Sequence, residues 1–123
     1  MATIDEVKNL DGVLIDTREA NRYAGRKERL DLKAGHIPGA VSVPTREILN
    51  PDNTFRPAEE IRATFEKVGV TDPNNVIVYS GSGVHSAQAI AAMHHAGLQG
   101  AALYLGGWSQ WCADRNNPVE RSD

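Results

Sequence analysis

At 123 residues the chain has room for one domain around one buried core, and not for two. Its apolar share of 41% and charged share of 24% are those of an ordinary globular protein, and no apolar run is long enough to cross a bilayer. Thirteen basic against sixteen acidic side chains leave a net charge of −3, which gives no basis for a nucleic-acid or anionic-membrane partner.

Residues 4–10 form an amphipathic pattern, with Thr3 as helix N-cap and Glu6 placed to complete a capping box. Residues 1–10 lack the basic-then-apolar layout of a signal peptide. Gly12 ends that pattern, and Val13-Leu14-Ile15 reads as a buried strand with Asp16-Thr17-Arg18 at its carboxyl end. Residues 23–35 are polar and crowded with charge, and read as a loop with one helical turn. His36-Ile37-Pro38-Gly39-Ala40 is a turn signal, because proline fixes φ and the glycine after it readily takes positive φ. Val41-Ser42-Val43 is a second strand, and Pro44 is placed to open a short helix through Leu49.

Residues 51–56 read as loop and 57–68 as a helix, with Ile61, Phe65 and Val68 on one face and Gly69 as the stop. Val76-Ile77-Val78-Tyr79 is the strongest strand signal, and an alanine-rich helix is expected from about Ser86 to Ala96. A further strand over 101–105, a turn at Gly106-Gly107 and a helical turn over 108–112 follow. From Ala113 onward the polar composition reads as a tail. There is no internal repeat or long linker, so residues 1–123 are expected to be one domain. Strands alternating with helices predict an α/β fold, a mostly parallel central sheet flanked by helices on both faces. Ligands bind such sheets beyond the carboxyl ends of the strands, where Asp16, Ser80 and Gly106 are expected to gather.

The segment Ser80-Gly81-Ser82-Gly83-Val84-His85-Ser86 carries the chemistry. It puts one small polar side chain, Ser80, between a strand and a helix. Gly81 and Gly83 remove the Cβ atoms that would keep a ligand from the backbone, so the turn's amides and the helix dipole can converge on an anion. A thiol in that place would be held below its usual pKa of about 8.5 and ionise near neutrality. The plainer alternative is that the two glycines only permit a tight connection.

Four segments in order, Leu14-Ile15-Asp16-Thr17-Arg18, Asn21-Arg22-Tyr23-Ala24-Gly25, Gly35-His36-Ile37-Pro38-Gly39-Ala40 and Leu105-Gly106-Gly107-Trp108-Ser109-Gln110-Trp111, resemble a rhodanese sulfurtransferase domain. The resemblance covers nearly the whole chain, and the central loop is similar to the active loop of the mercaptopyruvate branch. It implies a rhodanese-like fold with the family's catalytic cysteine position occupied by Ser80. It also implies a cycle in which that cysteine takes a sulfane sulfur as a persulfide and passes it to cyanide or another thiophile. The implied donors are thiosulfate, 3-mercaptopyruvate or a low-molecular-weight persulfide such as glutathione persulfide, and the implied acceptors are thiols or cyanide.

Residue by residue, the resemblance makes Arg22 a substrate-anchoring cation and Gly81, Ser82, Gly83, Val84 and His85 the substrate-binding loop. Without it, Arg22 reads as a solvated surface charge and Ser82 as a turn former. Asp16 and Arg18 match a structural pair, His36 a hydrogen-bonding hinge, and Trp108 and Trp111 packing anchors. His85 stands where the family has threonine and Ser86 where it has alanine. An imidazole at 85 either faces the pocket or begins the helix and points outward. His94 and His95 are adjacent, project in different directions and cannot share a metal, so neither metal nor cofactor is expected.

A serine hydroxyl is not ionised near neutral pH and cannot hold a second sulfur, and no neighbouring base in sequence activates it. No Gly-x-Ser-x-Gly elbow is present. The related phosphatase chemistry needs Cys-x5-Arg, and here Ser80 and Ser86 stand at both positions. Two explanations stay open: a cysteine-to-serine form of a sulfurtransferase, or a naturally non-catalytic binding or regulatory module. In either case the domain could be one piece of a tandem or fusion protein beside another sulfur-metabolism domain. Cys112, the single cysteine, excludes an internal disulfide, fits a reducing compartment with the cytoplasm as expected location, and reads as a buried thiol, not a substitute nucleophile.

Overall fold

The computed structural model describes residues 1–25, 35–52, 54–81, 83–114 and 116–121. The polar stretch 26–34, expected as loop, and Ser82 lie outside them. Among the described residues four strands form a parallel sheet: β1 (Val13–Asp16), β2 (Val41–Ser42), β3 (Val76–Tyr79) and β4 (Ala102–Tyr104), in spatial order β2-β1-β3-β4. Around them lie α1 (Ile4–Lys8), α2 (Ala20–Ala24), α3 (Ala58–Lys67), α4 (Val84–His95) and α5 (Gly107–Ala113).

Both sheet faces are covered, which is why β3 is apolar along its whole length instead of alternating. On one face Ile15, Val76 and Val78 pack with Ile61 and Phe65 of α3 and with Ala89, Ala92 and Met93 of α4. On the other, Leu14, Ile77, Tyr79 and Tyr104 pack with Val7 of α1 and with Trp108, Trp111 and Cys112 of α5. The register levels the strand ends: Asp16 lies opposite both Ser42 and Tyr79, and Tyr79 lies opposite Tyr104. The carboxyl edge of the sheet is therefore a row ending in Asp16, Tyr79 and Tyr104.

The capping box at Thr3 and Glu6 is present, and Gly69, just past the end of α3, takes φ +95° as its stop. Three expectations need correction. Residues 20–24 are a helix already, ahead of the single turn expected after Tyr23. The helix after β3 starts at Val84, two residues before the expected Ser86, because Gly83 takes φ +106° and turns the chain at once. The polar segment after Ala113 is not a free tail. Trp111 Nε1 donates to Pro118 O at 2.8 Å, Asn117 Nδ2 to Trp111 O at 3.0 Å, and Arg121 Nη2 to Gly25 O at 2.6 Å. Glu120 and His36 exchange backbone hydrogen bonds of 2.8 and 2.9 Å, which straps the chain end across the His36–Ala40 turn.

Candidate active site

Ser80 leaves β3 at the centre of the sheet, and its loop is held from three sides. From below, Thr17 donates through both its N–H and Oγ1 to Tyr79 O, each at 3.0 Å. From the side, Trp108 N–H donates to Ser80 O at 2.8 Å and Ser109 N–H to Gly81 O at 3.2 Å. From above, α4 begins immediately after Gly83, and Gly83 N–H donates to Ser80 Oγ at 2.9 Å. The expected gathering of Asp16, Ser80 and the Gly106 turn is present.

The Ser80 side chain is built into the loop and is 1% exposed. Its Oγ lies 3.1 Å from Ser86 Oγ, and Ser86 Oγ donates to Gly83 O at 3.1 Å. Ser80 thus behaves as a local cap for the following turn, a pattern small hydroxyl residues form readily. The amide of Gly83, expected to face an external anion, donates here to the atom at position 80 itself.

Other expected site residues separate by exposure. Gly81 is half-buried and a Cβ there would meet no atom within 4 Å, whereas a Cβ on Gly83 would lie 2.7 Å from Leu105 Cδ1. Val84 is 64% exposed and His85 is exposed on the first turn of α4, an outward placement. Arg22 lies half-buried on the last turn of α2. Among the described residues no group of three His, Cys, Asp or Glu side chains could hold a metal ion.

Beneath the site Asp16 and Arg18 form a buried pair, with Arg18 Nη2 2.8 Å from Asp16 Oδ2 and Arg18 N–H donating to Asp16 Oδ1 at 2.9 Å. The same guanidinium donates to Gly35 O and lies 4.7 Å above the Trp108 ring. This agrees with the structural role expected of the pair. Burial, and next the charge of Asp16, push the Tyr79 phenol well above its ordinary value; its oxygen accepts from Ile37 N–H at 3.1 Å. Burial pushes Tyr104 up to about 12. His36 stacks on Tyr23 at 3.9 Å between centroids and its Nδ1 lies 2.8 Å from Tyr23 O, which fits the hinge reading.

Ser86, noted in the sequence only as a departure from alanine and as the place of a missing arginine, makes a contact that sequence reasoning did not foresee. With the helix taken to start at Ser86 itself, its side chain had no assigned direction. With Gly83 as N-cap it becomes the third helical residue, whose side chain reaches back over the turn. A hydroxyl three residues after a glycine N-cap was the available signal.

Residues 3–114 match the rhodanese-like domain family, and the chain belongs to it. Among curated relatives, SseB of Mycobacterium tuberculosis, provisionally named a thiosulfate sulfurtransferase, is 41% identical over 108 residues, 88% of this chain and 38% of SseB. The 3-mercaptopyruvate sulfurtransferase of Escherichia coli is 36% identical over 109 residues, 87% of this chain and 38% of that protein. The anaerobic ergothioneine biosynthesis enzyme from Chlorobium limicola superposes with a TM-score of 0.86 at 27% identity, over 98% of this chain and 31% of the enzyme. The chain spans well under half the length of these relatives. No helix among the described residues is long and apolar enough to cross a membrane.

Proposed function

We propose that this chain is a rhodanese-type sulfurtransferase domain in which Ser80 occupies the place of the nucleophilic cysteine. The reading also treats the chain as one domain of a longer, tandem or fused, protein. One observation carries it: the Ser80 side chain sits at the carboxyl end of the central strand, against the N-terminus of α4, with a backbone N–H aimed at its terminal atom. A sulfur in that place would be stabilised as thiolate by the amide and the helix dipole. Relatives named for thiosulfate and 3-mercaptopyruvate sulfur transfer, and a structure of EanB with a cysteine persulfide at a TM-score of 0.86, support the same chemistry.

In the Ser80→Cys form the thiolate attacks the sulfane sulfur of the donor. The donor's bond to that sulfur breaks, and sulfite from thiosulfate, the pyruvate enolate from 3-mercaptopyruvate or glutathione thiolate from glutathione persulfide leaves with the electron pair. The resulting persulfide is attacked at its outer sulfur by cyanide or a thiolate, which regenerates the cysteine thiolate. Arg22 is assigned to anchor the donor's anionic group, and Gly81, Ser82, Gly83, Val84 and His85 to line its approach. As it stands, the chain is inactive in this cycle, because an alcohol cannot carry a persulfide. The buried single cysteine, Cys112, fits a reducing compartment such as the cytoplasm.

A second reading, a naturally non-catalytic binding module, is favoured by the same alcohol, which is buried and bonded on both sides. Ser80→Cys separates the two. The sulfurtransferase reading expects cyanide-dependent thiocyanate formation with thiosulfate, 3-mercaptopyruvate or glutathione persulfide. A folded Ser80→Cys protein that turns over none of the three donors defeats it.

A further inference from the structure

Ser86 enters the reading above only as a departure from alanine. It is fully buried on the first turn of α4, and its Oγ is equidistant, at 3.1 Å, from Ser80 Oγ and Gly83 O. A buried hydroxyl is costly unless bonded, and this one directs its single proton to the Gly83 carbonyl. Ser80 Oγ accepts from Gly83 N–H, and with the Ser86 proton on the Gly83 carbonyl it is the Ser80 hydroxyl that donates across the 3.1 Å contact. The hydrogen bonds therefore run head to tail: Gly83 N–H to Ser80, Ser80 to Ser86, Ser86 to Gly83 C=O. Each polarises the next.

We propose that Ser86 is a reversible hydrogen-bond partner of the reacting atom at position 80, accepting from a protonated group there and donating to an ionised one. The inference takes its purpose from the sulfurtransferase reading, while its chemistry stands independently of it. Because both acceptors lie 3.1 Å from Ser86 Oγ, redirecting the proton needs only rotation about the C–O bond and no heavy-atom movement. When a thiol at position 80 releases its proton to solvent, Ser86 turns from the Gly83 carbonyl to the sulfur. One neutral hydrogen bond is exchanged for one to an anion, which is about twice as strong. The ionised form is favoured, and the thiol pKa falls.

Among the described residues, the charged and titratable groups on the surrounding elements include Asp16 and Arg18 at the end of β1, Arg22 and Tyr23 on α2, Tyr79 on β3, Tyr104 on β4, and His85, His94 and His95 on α4. All are shared by the variants compared, so the comparison isolates the Ser86 hydroxyl. Thiol pKa is read from the pH dependence of iodoacetamide alkylation in a Cys112→Ala background, for Ser80→Cys and for Ser80→Cys with Ser86→Ala. The hydroxyl deletion is expected to raise the pKa by about one unit, leaving about tenfold less thiolate below both values. Ser86→Thr, which retains a hydroxyl, is expected to keep the lower value.

An unchanged pKa on removing the hydroxyl overturns the proposal. A merely structural role for Ser86 would alter stability and leave the alkylation profile in place. Should the alanine form not fold, the Ser86 Cβ resonance of Ser80→Cys must titrate together with the thiol, and a resonance that stays fixed overturns the proposal equally. No sulfur donor is used in either measurement. A Ser86-dependent pKa without sulfur transfer would defeat the proposed function alone, and sulfur transfer with a Ser86-independent pKa would defeat this inference alone.

Discussion

The backbone of Gly107 passes so close to Ser80 that a Cβ on it would stand 2.2 Å from the Ser80 carbonyl oxygen and 3.0 Å from that of Gly81. Gly107 also takes φ +57°, a left-handed conformation that side chains disfavour. The close approach brings the Trp108 and Ser109 amides onto the carbonyls of the loop after β3, so the glycine is what allows α5 to hold that loop from the side. Gly107→Ala adds both a backbone strain and a clash with backbone atoms that cannot swing away. The expected loss is about 2–4 kcal/mol of unfolding free energy, measured by urea denaturation. A loss confined to a few tenths would show that the loop and α5 are not tightly coupled.

The buried pair beneath the site makes a second expectation. Asp16→Asn leaves the Arg18 guanidinium, 3% exposed, without its carboxylate, and breaking such a pair costs about 3–5 kcal/mol. Because that guanidinium also lies over Trp108, whose N–H donates to Ser80 O, the damage should reach the loop. Thermal unfolding by circular dichroism reports the first effect, and faster hydrogen exchange at the Trp108 amide the second.

Alkaline pH supplies a third. The folded-state values of Tyr79 and Tyr104 lie above the ordinary tyrosine value of about 10, because burial disfavours the phenolate. The folded chain therefore holds these protons after the unfolded chain has lost them. Their contribution to stability is complete below pH about 10; that of Tyr104 disappears as pH rises toward about 12, and that of Tyr79 is lost in the same direction. Urea midpoints should be flat up to about pH 10 and then fall, with phenolate absorbance rising in step with unfolding. Tyr104→Phe should flatten part of that fall while losing the hydrogen bond to Gln110 Oε1.

How much of this could be read from the residues follows from what each interaction uses. The continuous apolar run of β3 and the alternation of strand and helix are side-chain patterns, so the two-faced parallel sheet was legible before the structure. The row of strand ends was legible too, since Asp16 and Ser80 each follow an apolar run. The strap over 116–121 was not, because it is fastened largely through backbone atoms of Pro118 and Glu120, whose bonding leaves no trace in composition. The Ser80–Ser86 contact was missed for a related reason. It depends on where α4 begins, and that is set by the positive φ of Gly83, which an alanine-rich pattern does not mark.

The strap itself predicts a stability effect. Asn117 is buried at 4% and its Nδ2 donates to Trp111 O, closing the last turn of α5. Asn117→Ala leaves that carbonyl without the donor, at an expected cost of about 1–3 kcal/mol. Trp111 packs in the same cluster as Trp108, so the loss should appear as increased tryptophan quenching by acrylamide before global unfolding. Unchanged quenching would mean that the strap rests on α5 without supporting it.

Arg22 gives the prediction that bears most directly on the donor. It lies on the last turn of α2, a short helix that follows the polar end of β1, and its side chain is half-buried. If its guanidinium binds the anionic end of the donor, a charge-assisted hydrogen bond worth about 1.5–3 kcal/mol disappears in Arg22→Ala. In the Ser80→Cys background that corresponds to a loss of about 10- to 100-fold in kcat/KM, carried mainly by KM. The dianionic thiosulfate should suffer more than glutathione persulfide, whose charges lie farther from the transferred sulfur. Arg22→Lys keeps the charge without the planar fork, so it should recover only part of the loss. A proportional fall for every donor would instead place Arg22 in support of the loop, and an unchanged KM would return it to the solvated surface.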